Sequence, residues 1–228
     1  MKFAVDAPTV VTLPVSGTDL VFPVNRVFCV GRNYADHAIE MGHDPDREDP
    51  FFFVKTPDTV VAPGAPFPYP PVSSDVHHEC ELVVALGRGG SEVPVADALD
   101  LVYGYGVGLD MTRRDLQSEA KRMGRPWATA KSFAASAPMS ALTTVADIGH
   151  PDAGEVVLAV DGRVRQHGDL SQQIWKPAEI IAALSRLFAL TPGDLIMTGT
   201  PAGVGPIERG QTMRGYIAGV GELIVDVV

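Results

Sequence analysis

Residues 77–87, HHECELVVALG, decide how the rest of the chain is read. The run alternates as a β-strand does, and residues two apart in a strand share a face. Glu79 and Glu81 therefore emerge side by side, while Cys80, Leu82 and Val84 turn toward a core. Two adjacent carboxylates repel, and a shared divalent cation relieves them; all-oxygen donors favour Mg²⁺, Mn²⁺ or Ca²⁺ over zinc. The alternative is a solvated strand face, and the spacing alone leaves both open. His77 and His78 face opposite ways, so at most one of them could join the glutamates, and both are read as structural.

Outward from this strand the pattern stays β-rich. Tyr103 to Asp110 reads as a second, Gly-rich strand, and Asp110 at its end either joins the glutamates or caps the helix expected over Thr112–Met123. Val27–Val30 and Phe51–Lys55 read as further strands. The Pro-rich segment 62–71 must run extended. A short helix is expected over Tyr34–Met41, followed by a polar loop at 43–50. Asp161-Gly162 between two apolar alternations signals a hairpin. Ile180, Ile181, Leu184, Leu187 and Phe188 fall at helical spacing, giving a helix over 177–190 with Pro177 in its first turn. Strand Leu195–Met197, a loop at 198–205 and two closing strands complete the chain. The expectation is an α+β, β-rich fold with a few short helices, divided into a short N-terminal strand segment (1–22) and a catalytic domain (23–228).

The composition agrees. Of 228 residues, 46% are hydrophobic and 20% charged, with 23 glycines and 19 prolines scattered along the chain, as in short strands joined by turns. A net charge of −10 without any Lys/Arg-rich run makes nucleic acid and anionic membrane poor partners. No stretch reaches the ~20 apolar residues of a membrane span. The opening MKFAVDAPTV has no signal-peptide core, and the two cysteines lack zinc spacing. A cytoplasmic location is expected.

Other residues carry chemistry less specifically. His37 and Glu40, three apart on the expected helix, can touch; a histidine so oriented is a general base, though a surface pair has the same spacing. Lys131, within WATAKSF, is either buried against an anion or snorkelling from a strand edge. The glycines of Thr198–Gly205 could nest an anion or form only a tight turn, and the missing lysine rules out a Walker motif.

Taken together, VFCVGRNYADHAIEMG (27–42), FFFVKTPDTVV (51–61), HHECELVVALG (77–87), YGVGLDMTRRDLQ (105–117), GRPWATAKSF (124–133) and GDLIMTGTPAGVGP (193–206) resemble the fumarylacetoacetate hydrolase superfamily. The likeness covers nearly everything after residue 20. It implies that family's mixed β-sandwich roll, a homodimer, and a divalent metal, with Mg²⁺ foremost and Mn²⁺ or Ca²⁺ as alternatives. It implies metal ligands Glu79, Glu81 and Asp110, a catalytic His37–Glu40 pair on a lid helix, an active-site Lys131, and substrate contacts from Gln117 and Thr200. The opening segments and the short chain are most similar to the acylpyruvate-cleaving group, in particular to bacterial members acting on fumarylpyruvate in gentisate breakdown. The reaction so implied is hydrolysis of a carbon–carbon bond in a 2,4-dioxo acid. A distal carboxylate would need a cation, and Arg32 or Lys55 is expected to supply it. Two rivals are decarboxylation or tautomerisation of oxaloacetate at the same metal, and a non-catalytic Ca²⁺-binding β-module.

Overall fold

The computed structural model describes residues 3–36 and 48–228. His37, Glu40 and most of the helix expected over Tyr34–Met41 lie outside the described residues. In chain order, the elements that position the site are β1 (Arg26–Gly31), β2 (Phe51–Lys55), β3 (Cys80–Leu86) and β4 (Val102–Leu109). Helices α1 (Arg114–Arg122) and α2 (Ala128–Lys131) and strands β5 (Thr143–Thr144), β6 (Glu155–Val160) and β7 (Arg163–Asp169) follow. Helix α3 (Pro177–Leu187) and strands β8 (Asp194–Met197), β9 (Thr212–Ile217) and β10 (Gly221–Asp226) close the chain.

The architecture is the α+β, β-rich sandwich expected. One sheet has six strands in the order β5-β4-β3-β8-β1-β2, antiparallel except for the β8–β1 pair, and the other has four in the order β7-β6-β9-β10. Between them Cys80, Leu82, Val84, Val107 and Leu109 meet Val156, Leu158, Met213, Leu223 and Val225. The opposite face of β3 sends Val83 and Ala85 into a second core with Val27, Cys29, Leu195 and the N-terminal residues Leu13 and Phe22. Burial on both faces is why β3 reads as a nearly unbroken apolar run. Each large aliphatic side chain so buried contributes about 1.5–3 kcal/mol. Both cysteines are free and buried. Among the described residues, no helix is long and apolar enough to cross a membrane.

Three boundaries differ from the sequence reading. The strand expected from His77 is broken at Glu79: Val76–His78 pairs with Thr112–Arg113 and Gly205–Pro206 in a separate small sheet. The chain thus changes sheets at Glu79. That pairing also delays α1 to Arg114. Helix α3 stops at Leu187 because Phe188 turns extended (φ −139°) and packs 5.1 Å from the Phe28 ring. The hairpin is as expected, with Asp161 and Gly162 both at positive φ (49° and 75°), as a two-residue type I′ turn requires.

Candidate metal centre and its cleft

The β3–β4 ladder pairs Cys80 with Leu109 and Glu81 with Gly108. Extended by one step, it sets Glu79 beside Asp110, whose backbone N–H donates to the Glu79 carbonyl at 2.8 Å. One carboxylate oxygen each from Glu79, Glu81 and Asp110 falls within 4.8 Å of the others. The three side chains are 5%, 2% and 1% exposed, so the solvated-face reading of the glutamates fails.

Buried charges need partners, and cations supply them from three elements. Arg114 at the start of α1 donates from Nη2 to Glu79 Oε1 at 2.6 Å. Lys131 at the end of α2 donates from Nζ to Glu79 Oε2 and to Asp110 Oδ2, each at 2.7 Å. Lys55 at the end of β2 lies 2.9 Å from Asp110 Oδ1. It sits off the hydrogen-bond axis, and that oxygen accepts no hydrogen bond among the described residues. Glu81 Oε2 accepts from the backbone N–H of Gly199 at 2.7 Å. Burial pushes the Glu81 carboxyl well above the ordinary carboxylate range, and the charges of Asp110 and Glu79 add to the push. Burial works to lower Lys131, but Asp110 and Glu79 overcome it and hold its ammonium above the usual value.

This arrangement fits a hard divalent ion. Its donors are carboxylate oxygens, one of them accepts no hydrogen bond among the described residues, and Glu81 is held beside two like charges that a cation would relieve. Three carboxylates face three cations, so a divalent ion would leave the floor with two net positive charges, suited to an acidic ligand.

Above the floor opens a cleft of about 430 Å³, counted to its open mouth and lined by Arg32, Phe51, Phe53, Lys121 and Trp127 as well as the floor residues. The aromatic rings pack on one another: Phe51 meets Trp127 edge to face at 5.3 Å, and Phe53 lies 5.9 Å from Trp127. Gly31 makes room for them, since a Cβ there would stand 2.0 Å from the Phe51 ring.

The structure brings most of the anticipated residues to this cleft, with different employment for some. Gln117 accepts from Arg114 Nη1 at 2.6 Å, so the two act as one unit. Thr200 lines the cleft, but its hydroxyl donates to the Cys80 carbonyl at 2.8 Å and accepts from Gln166 Nε2 at 2.7 Å. Arg32 lines the cleft in a left-handed conformation (φ 59°). Lys55 lies beneath the floor: it is 0% exposed, and its ammonium also donates to the carbonyls of Lys131 and Ser136 and to Ser136 Oγ. That position corrects the expectation that Lys55 meets a distal carboxylate. Neither histidine of the tandem joins the carboxylates. His78 contacts Gln166, and burial brings its pKa down to about 4, while His77 accepts from Arg114 Nε at 3.3 Å. Sequence reasoning missed Arg114 and Lys121. The available signal was their spacing with Gln117, at i, i+3 and i+7 along one helical stripe.

Comparison with known proteins agrees with this geometry. A family model described as fumarylacetoacetate (FAA) hydrolase C-terminal matches residues 26–228. The crystal structure of fumarylpyruvate hydrolase from Pseudomonas aeruginosa, in complex with Mn²⁺ and pyruvate, is 51% identical with a TM-score of 0.97, covering 100% of this chain and 99% of that one. The mitochondrial oxaloacetate tautomerase FAHD1 of Mus musculus is 45% identical over 196 residues, 86% of this chain and 88% of its own. A 5-carboxymethyl-2-hydroxymuconate delta-isomerase from Mycobacterium smegmatis is 36% identical with a TM-score of 0.81, covering 91% and 80% of the two chains.

Proposed function

The chain belongs to the fumarylacetoacetate hydrolase family, and on that footing we propose that it is a divalent-metal-dependent hydrolase of 2,4-dioxo acids. Its proposed substrate is fumarylpyruvate, cleaved to fumarate and pyruvate in aromatic (gentisate) breakdown. The observation that carries this reading is the close likeness, over the whole chain, to a fumarylpyruvate hydrolase whose crystals hold Mn²⁺ and pyruvate. The buried carboxylates Glu79, Glu81 and Asp110 are the proposed ligands, with Mg²⁺ or Mn²⁺ as the ion. When bound, such an ion supplies Lewis acidity for the 2-oxo acid end of the substrate.

The chain's own residues do the rest. His37, oriented by Glu40, takes a proton from water, whose oxygen bonds to C4 of the dioxo acid. The C3–C4 bond then breaks, its electron pair stays on C3, and C3 takes up a proton to give pyruvate. Lys131 spends two N–H donors on Glu79 and Asp110. An ammonium carries three, and the third, which has no hydrogen bond among the described residues, is proposed to meet the oxyanion that grows at C4, a role worth about 3 kcal/mol. Gln117, held by Arg114, orients the substrate beside it, and the Thr200 hydroxyl keeps the Gly199 loop against Glu81.

The mouse relative favours a second reading, tautomerisation of oxaloacetate, which uses the same carboxylate floor without water attack. Purified protein with Mg²⁺ or Mn²⁺, assayed on fumarylpyruvate, acetylpyruvate and oxaloacetate, separates the two. Pyruvate release from fumarylpyruvate, abolished in His37→Ala with metal binding intact, is the expected result. Tautomerisation of oxaloacetate with no cleavage of either dioxo acid overturns it. A homodimer is also proposed, and light scattering tests it.

A further inference from the structure

We propose that Lys121, together with Arg32, forms a carboxylate subsite at the mouth of the cleft, which selects acylpyruvates bearing a second carboxylate on the acyl end. The inference rests on the dioxo-acid reading above and adds the residues that recognise the substrate's far end. Arg114, Gln117 and Lys121 share one stripe of α1 and all line the cleft. The first two are committed to the floor, through Glu79 and through each other. Lys121, about 10 Å along the helix axis from Arg114 and about 6 Å from Gln117, forms no ion pair among the described residues.

What Lys121 touches is aromatic. Its Nζ lies 5.3 Å from the centre of the Trp127 ring, and the Arg32 guanidinium lies 5.5 Å from that of Phe51. Because Phe51 and Trp127 meet edge to face, the two cations rest on a single aromatic pair. Such contacts hold a cation in place without neutralising it, so both charges remain for an anion to answer. The charges acting on Lys121 are mostly of its own sign: burial lowers its pKa, Arg114 and Arg32 lower it further, and Glu79 opposes them. A half-buried ammonium in that field gains most from a ligand carboxylate. Arg32 holds a left-handed backbone, a conformation costing about 1–2 kcal/mol for a residue with a Cβ, and such strain is concentrated at ligand-contacting positions.

The test compares fumarylpyruvate with acetylpyruvate, which lacks the second carboxylate, in wild type, Lys121→Met and Lys121→Arg. Methionine keeps the stem's packing and removes the charge. For Lys121→Met, kcat/KM on fumarylpyruvate should fall about 10–100-fold, chiefly through KM, while the value for acetylpyruvate stays within about 3-fold; Lys121→Arg should restore most of the loss. Equal effects on both substrates, or none, overturn the subsite and leave the hydrolase reading standing. Failure of the wild type to cleave either substrate overturns the hydrolase reading instead. Calorimetric binding of fumarate then decides the subsite: lost in Lys121→Met it supports it, and absent from the wild type or unchanged in the variant it overturns it.

Discussion

The floor and the mouth of the cleft both hold cations, but they use them in opposite ways. At the floor Arg114, Lys131 and Lys55 are spent on Glu79 and Asp110 at 2.6 to 2.9 Å. At the mouth Arg32 and Lys121 rest on Phe51 and Trp127 and have no carboxylate to neutralise them among the described residues. Cations already paired at the floor have little pull on an anion until a divalent ion adds charge. An unbalanced mouth attracts an anion by itself. The two ends of the cleft therefore divide the work, the floor serving the reacting end of a substrate and the mouth its identity.

Removing a floor carboxylate should break this division most severely. Glu81→Gln or Asp110→Asn is expected to lower kcat/KM by more than about 10³-fold, since a Lewis acid contributes several kcal/mol. In wild type, Mn²⁺ at 100 times its Kd should raise unfolding free energy by about 2.7 kcal/mol, and thermal melts of these variants should lose that shift. Lys131→Met should cost about 10²–10³ in kcat while Mn²⁺ still binds, which separates the donor from the ligands in a single kinetic and calorimetric comparison. Lys55→Met should act on stability: it strips a fully buried carboxylate of a partner, a loss of about 3–5 kcal/mol readable by urea unfolding. The smallest effect is expected at the mouth from Gly31→Ala, which forces the Phe51 ring aside. A change of a few-fold in KM for fumarylpyruvate, with metal binding unchanged, would sharpen the contrast.

Much of this was legible in the sequence. The alternation at 77–87 placed Glu79 and Glu81 together, and the Asp-Gly pair at 161–162 gave the hairpin its turn. Asp110 was ambiguous because a strand end also caps helices; only the β3–β4 ladder sets it beside Glu79. The change of sheets at Glu79 was invisible, since local periodicity reports a face and not which strand pairs with it. Lys55 misled for a similar reason, as nothing nearby in the chain announces the carbonyls of Lys131 and Ser136 that surround it. From the glycine loop a single backbone N–H, that of Gly199, meets a carboxylate among the described residues, and that carboxylate is Glu81 of the chain itself. Arg114 and Lys121 escape a sequence reading because charged residues on a short helix usually face water, and here the stripe they form faces the cleft.

Titration of the metal-free protein with Mn²⁺, followed by the electron paramagnetic resonance of the free ion, tests the central claim most directly. The wild type should remove Mn²⁺ from solution, pyruvate should perturb the bound signal, and Glu81→Gln should leave the ion free. Uptake of Mn²⁺ that is equal in wild type and in Glu81→Gln, or absent from both, would contradict the assignment of Glu79, Glu81 and Asp110 as its site.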